Sequence, residues 1–340
     1  MSQFGSGLTL FLSLMVEAMP FLIFGVLVSG VLLLFVNERR LIALFPRNPL
    51  LGALSGSLFG FLFPVCECGN VPVARRLLIQ GASPSVAIGF LLAAPTINPV
   101  VIWATWTAFP DQPEIVILRV VFSFLIATLV GWVFSWQTDL KPFLQPNITV
   151  LMPASPVLQS SVSIPSSNLL RPGNYFLDQP GNPIPLETAN LDAVLAIAPT
   201  KRKSIRDRLP LLLDNTVQEL REMGGILVLG SLIATIIQVT VPRNIILSIG
   251  QGPVTSVLAM VSLGGIISIC STVDAFFALS FASTFTSGAL LAFLVFGPMF
   301  DLKSLGLLLM VFKPRAVFYI FAMVLQLTVL FTLSINLWIS

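Results

Sequence analysis

Six stretches of this 340-residue chain are apolar for long enough to cross a membrane, and that feature limits most of what the chain can become. An α-helix rises about 1.5 Å per residue and the hydrocarbon core is about 30 Å thick, so a span needs about 20 apolar residues. Residues 8–36, 84–109, 115–137, 223–241, 287–312 and 316–338 meet that length. The composition agrees. Charged residues make up 10% of the chain, against about 25% in an average globular protein. Mean hydropathy is +0.95. So few charges cannot build a water-facing surface, so the solvent for most of this chain is lipid. The predicted class is an all-α polytopic membrane protein.

Several chemistries drop out at once. The chain has no histidine, which excludes His-ligated metal sites, Ser-His-Asp catalysis and histidine proton relays. Its three cysteines, Cys66, Cys68 and Cys270, cannot form an even disulfide framework. No G-x-x-x-x-G-K-[ST] stretch is present, so an ATPase of its own is not expected. No cleavable signal peptide is expected either: residues 8–36 are too long for a signal h-region and read as the first span. Neither a cofactor nor a nucleic-acid partner is expected, and the chain is not read as an enzyme.

Three regions emerge: an N-terminal transmembrane half over 1–137, a linker over 138–209, and a C-terminal transmembrane half over 210–340. The linker holds ten of the 25 prolines and 12 of the charges. It is too polar to offset its ordering entropy and reads as water-exposed and largely irregular. It ends in the basic cluster Lys201–Arg208, a topology anchor. The two halves resemble each other. Cys66 falls on Cys270 and Asn70 on Asp274 at an offset of 204. The Gly89–Asn98 stretch falls on Ala292–Asp301 at 203, and Glu17 and Gly25 fall on Glu222 and Gly230 at 205.

Within each half, two apolar pieces are too short to cross. Residues 50–63 and 71–81 flank a polar tip at 66–70, and 253–269 and 275–285 flank a second tip at 270–274. Each set reads as a re-entrant or broken helical hairpin. Irregular backbone at that depth is tolerated where it is buried in protein or lines a cavity. Each half then has three spans, and an odd number makes the repeats inverted, a recurring transporter plan. With the linker in the cytoplasm, Arg39, Arg40, Arg47, Arg75, Arg76, Lys313 and Arg315 lie inside, as the positive-inside rule requires. Eight spans, with each hairpin crossing twice, is the alternative.

The stretch Cys66-Glu67-Cys68-Gly69-Asn70 carries the most chemistry. Two thiols at i,i+2 on an irregular segment can turn toward one target, and thiolates select soft centres such as copper(I), zinc or a trivalent metalloid. Cys66 and Cys68 are therefore the candidate metal or metalloid ligands, and Cys270 would add a third sulfur if the tips meet. Glu67, Glu17 and Asp274 are carboxylates at membrane depth, which makes them functional candidates. Glu67 is also placed to accept a proton that a thiol gives up on binding. Glu17 and Glu67 are the proton-coupling candidates. Pro95 with Thr96 and Asn98, and Pro298 with Asp301, interrupt matching helices, and paired interruptions are a pointer to a transporter site. The substrate-binding set is thus Cys66, Glu67, Cys68, Asn70, Thr96, Asn98, Cys270 and Asp274. Lys303 and the Arg75-Arg76 pair read as interfacial anchors.

At Pro64-Val65-Cys66-Glu67-Cys68-Gly69-Asn70-Val71-Pro72, followed by Phe90-Leu91-Leu92-Ala93-Ala94-Pro95-Thr96-Ile97-Asn98-Pro99, the chain resembles bacterial permeases of the ArsP/YraQ type. The resemblance covers both halves and leaves out the linker. It implies a permease, with Cys66 and Cys68 as substrate-contacting thiols and a small partner membrane protein. Glu67 stands where such permeases often carry Ser. The expected function is efflux of a soft thiophilic solute, a trivalent organoarsenical or soft metal ion, across the cell inner membrane. The alternatives are a membrane thiol–disulfide protein using Cys66 and Cys68, or a non-transporting subunit of a complex. A homodimer is a further expected association.

Overall fold

A computed structural model describes residues 2–35, 45–46, 48–63, 67–135, 144–145, 175–178, 182–185, 205–240, 252–282 and 284–338. The chain divides into two units, Met1–Pro153 with Asp214–Ser340, and Ala154–Leu213.

In the first half the elements are α1 (Ser2–Phe35), α2 (Pro49–Leu62), α3 (Glu67–Ile79), α4 (Pro84–Ile97), α5 (Pro99–Ala108) and α6 (Pro113–Ser135). The second half runs α7 (Ile205–Thr240), α8 (Pro253–Ile266), α9 (Asp274–Leu279), α10 (Ser287–Met299), α11 (Leu302–Val311) and α12 (Pro314–Trp338). The same sequence of elements therefore occurs twice: a long helix, a short helix, a tip with a second short helix, a broken helix, and a last long helix.

Six helical segments are long and apolar enough to span a membrane: Gly7–Gly30, Pro84–Ala108, Pro113–Ser135, Thr216–Ile237, Ser287–Val311 and Pro314–Leu337. Pro49–Leu62 and Pro253–Ile266 are apolar but too short. The fourth span begins earlier than 223, because α7 starts within the basic cluster at Ile205 and runs unbroken into the apolar stretch. The 138–209 region is also less irregular than expected. Tyr175–Asp178 (β1) and Asn182–Pro185 (β2) form an antiparallel ribbon with Phe176 opposite Ile184. The intervening Pro180-Gly181 is a turn signal, and Pro183 and Pro185 fit a ribbon whose strands are both edges.

Proline starts half of these helices, Pro113 among them. Pro49, Pro84, Pro99, Pro253 and Pro314 each stand at a first helical position, where the missing N–H costs nothing. The exit from α3 is closed by Gly81 at φ 87°. Its amide donates to the Leu78 carbonyl at 3.0 Å and the Ala82 amide donates to Leu77 at 2.9 Å. That left-handed closure needs a residue without Cβ.

Lipid supplies no hydrophobic drive between helices, so close backbone approach does the packing. A Cβ on Gly56 would run into the Val86 backbone, and one on Gly25 into the Gly69 backbone. The contacts repeat between halves. α2 packs on α4 and α4 on α6, as α8 packs on α10 and α10 on α12. Across the halves α3 meets α11, and reciprocally α9 meets α5. The broken helices are the most buried spans, so the interruptions lie in the protein interior.

Candidate functional site

The first tip enters α3 at Glu67. Glu67, Cys68 and Asn70 are all buried. The Asn70 carboxamide Nδ2 donates to the Leu91 carbonyl at 2.7 Å and ties the tip to α4. The second tip is a turn at Cys270–Val273. The Cys270 carbonyl accepts the amides of Val273 and Asp274, at 2.9 and 3.1 Å, which starts α9. Thr272 Oγ1 donates to Cys270 Sγ at 3.6 Å. Cys68 and Cys270 are buried.

The two breaks are capped alike. Asn98 Oδ1 accepts the Val101 amide at 2.9 Å, and Asp301 Oδ1 accepts the Ser304 amide at 2.6 Å. Each side chain satisfies an orphan donor of the half-helix that follows it. Thr96 is absorbed locally, donating to the carbonyls of Leu92 and Ala93.

At the meeting of α3 and α11 stands Lys303. It is only 2% exposed, so it is not the interfacial anchor expected from sequence. Because α10 and α11 together make one span, the break at Asp301 lies inside the membrane segment and carries Lys303 inward with it. Its Nζ is 3.7 Å from Glu67 Oε1 and 3.9 Å from Asp301 Oδ2. One buried cluster therefore gathers Glu67 from the first tip with Asp301 and Lys303 from the second break. Glu67 Oε2, Asp301 Oδ2 and the hydroxyls of Ser268 and Ser271 are buried without a hydrogen-bond partner among the described residues. An apolar cavity of about 640 Å³, lined in part by Phe296, Phe300 and Phe321, reaches Asp301. Its size is that of a small-molecule site.

Asp274 belongs to a second buried centre. Arg119 of α6 holds it in a two-pronged pair, Nη1 to Oδ1 at 3.1 Å and Nη2 to Oδ2 at 2.6 Å. Arg119 Nη1 also donates to Thr105 Oγ1 on α5 at 2.8 Å. This joins the first half's break to the second half's tip. Sequence reasoning missed Arg119. The available signal was a lone cation inside an apolar span.

Of the predicted residues, Glu67 pairs with Lys303 of the other half, and Cys68 and Cys270 are buried. Asn70, Thr96 and Asn98 bond to backbone of their own half. Cys66 and the Glu17 side chain lie outside the described residues. Among the described residues no group of three Cys, Asp or Glu side chains forms a metal-holding set.

A multi-pass helical membrane protein whose discontinuous helices converge on a buried charged cluster has the plan of a secondary transporter. The chain belongs to a family of predicted permeases, ArsP_1, whose profile matches residues 3–337. It is 34% identical over 310 residues to the UPF0718 protein YcgR of Bacillus subtilis, covering 91% of this chain and 90% of that protein. It is 30% identical over 308 residues, 91% and 87% of the two chains, to a Streptococcus mutans protein provisionally named a two-component membrane permease complex subunit. No solved structure matches the chain.

Proposed function

We propose that this protein is an inner-membrane efflux permease for a soft, thiophilic solute, a trivalent organoarsenical or soft metal ion. The single observation that carries the reading is the buried ion cluster that joins the halves, Lys303 with Glu67 and Asp301, where Glu67 adjoins the buried Cys68 in sequence. Thiolate is the form that binds a soft centre, so each thiol releases a proton on binding. Glu67, adjacent to Cys68 and not fully satisfied, is placed to take one. Cys66, two residues from Cys68 in sequence, is the further candidate ligand. The cluster holds two carboxylates against one ammonium, which favours a cation or proton as the remaining partner.

The two halves act as inverted repeats with the linker in the cytoplasm, and rocking one against the other exposes the site alternately to each side. The reciprocal contacts of α3 with α11 and α9 with α5 support a two-fold relation. The test is growth of a host lacking its own exporters on a panel of phenylarsine oxide, antimonite, copper and zinc. Expression should raise tolerance to at least one of them, and Cys68→Ser or Cys270→Ser should remove it. Equal tolerance in all variants excludes a thiol site.

A second reading is supported by the Streptococcus relative, whose name describes a complex subunit. In that case the protein transports only together with a partner membrane protein, and tolerance appears only on co-expression.

A further inference from the structure

The last span, Pro314–Leu337, carries a polar group that the bundle does not use. Gln326 is exposed and has no hydrogen-bond partner among the described residues. It sits 12 residues from the first residue of that span and 11 from the last, which places it roughly 17 Å from either end, near the bilayer midplane. Its neighbours on α12 are handled differently. Thr332 and Ser334 donate to carbonyls one turn back, and Asn336 donates to the Pro253 carbonyl of α8 at 2.9 Å. Hydrocarbon offers the Gln326 carboxamide nothing, and a polar side chain at this depth ordinarily bonds to another helix.

The surface around it is shaped to receive one. A groove of about 590 Å³ follows α12 through Ala322, Gln326, Val329, Leu333 and Leu337, with Leu258 of α8 on its flank. Spacings of three and four residues along one helix face are those of a helix-packing seam. A carboxamide is both donor and acceptor, hence self-complementary. A second copy inserted in the same orientation presents its own Gln326 at the same depth, whereas any other helix would need an independent polar residue there.

We infer that α12 is the homodimer seam of this permease, with Gln326 of each copy hydrogen-bonded to its counterpart across a two-fold axis along the membrane normal. The contact is isologous and closes after two copies. It does not depend on what the permease carries.

Full-length protein with Gln326→Cys, oxidised in native membranes, should give a band of twice the monomer mass. The parent chain and a Leu232→Cys variant, exposed on α7, should not. In vesicles of phosphatidylethanolamine and phosphatidylglycerol, energy transfer between donor- and acceptor-labelled copies should report association. Gln326→Leu should weaken that association roughly three- to thirty-fold, the range measured for hydrogen bonds between membrane helices. Gln326→Leu lies on the lipid-facing surface, so folding is spared. Absence of the doubled band, unchanged association in Gln326→Leu, or a crosslink to a protein of different mass would each overturn the inference.

Discussion

The two halves place the same kind of residue at the same points, but neutral in the first half and charged in the second. At the tips, Asn70 of the first half stands against Asp274 of the second, and at the breaks Asn98 stands against Asp301. The neutral pair bonds at home: Asn70 to Leu91 of α4, and Asn98 to Ala94 and Val101 on either side of its own break. The charged pair recruits cations. Asp274 reaches Arg119 in the opposite half, and Asp301 faces Lys303 on the helix it caps, which in turn reaches Glu67 in the opposite half. Asparagine and aspartate perform the same capping task, as the matched bonds to Val101 and Ser304 show. The extra charge of the aspartates therefore takes part in the ion pairs that join the halves, beyond starting a helix.

Breaking that contrast at its strongest point gives the largest expected effect. Arg119→Met leaves Asp274 buried with its counter-ion gone, which costs about 3–5 kcal/mol. Thermal unfolding in detergent should drop sharply, and adding Asp274→Met should restore most of the loss, because an apolar pair removes the unpaired charge. Next comes Asn70→Asp, which gives the first tip the second tip's charge without a cation to meet it. A carboxylate at the centre of a membrane helix costs about 2.5–3.5 kcal/mol, and the bond to the Leu91 carbonyl is lost as well. The same melting assay should register a loss of comparable size, which no substitution at Arg119 restores. The smallest stability effect belongs to Asp301→Asn, which makes the second break resemble the first. The cap to Ser304 survives, so melting should shift by less than about 1 kcal/mol. Transport, read as accumulation in everted vesicles, should nonetheless fall at least ten-fold, because Lys303 then faces Glu67 alone. Unchanged transport there would show that the charge at this break has no part in function.

The spans and their interruptions were legible in the sequence because they depend on local properties. Apolar length marks the six spans and proline marks half of the helix starts, but Pro72, Pro95 and Pro298 lie inside helices, and residues 67–70 of the first tip are helical rather than irregular. Even the pairing of Asn98 with Asp301 follows from the repeat. The charge pairs were not legible. Arg119 and Asp274 are 155 residues apart, and no local pattern links them. Lys303 was misread for a related reason. A basic residue near a helix start ordinarily marks the membrane surface, but here the helix start is an interruption in mid-span, and only the packing of α11 on α3 shows that Lys303 points into the protein. The linker ribbon escaped because proline-rich stretches ordinarily resist pairing, and a two-stranded edge ribbon is the exception.

The central claim is that thiols from both tips serve one solute. Binding of phenylarsine oxide, a reagent that bridges neighbouring thiols, to the purified protein in lipid tests it most directly. Denaturing mass spectrometry should find one phenylarsenic group bridging two cysteines per chain, lost in both Cys68→Ser and Cys270→Ser. Undiminished bridging in Cys270→Ser would contradict the claim, since the second tip would then contribute no sulfur to the site.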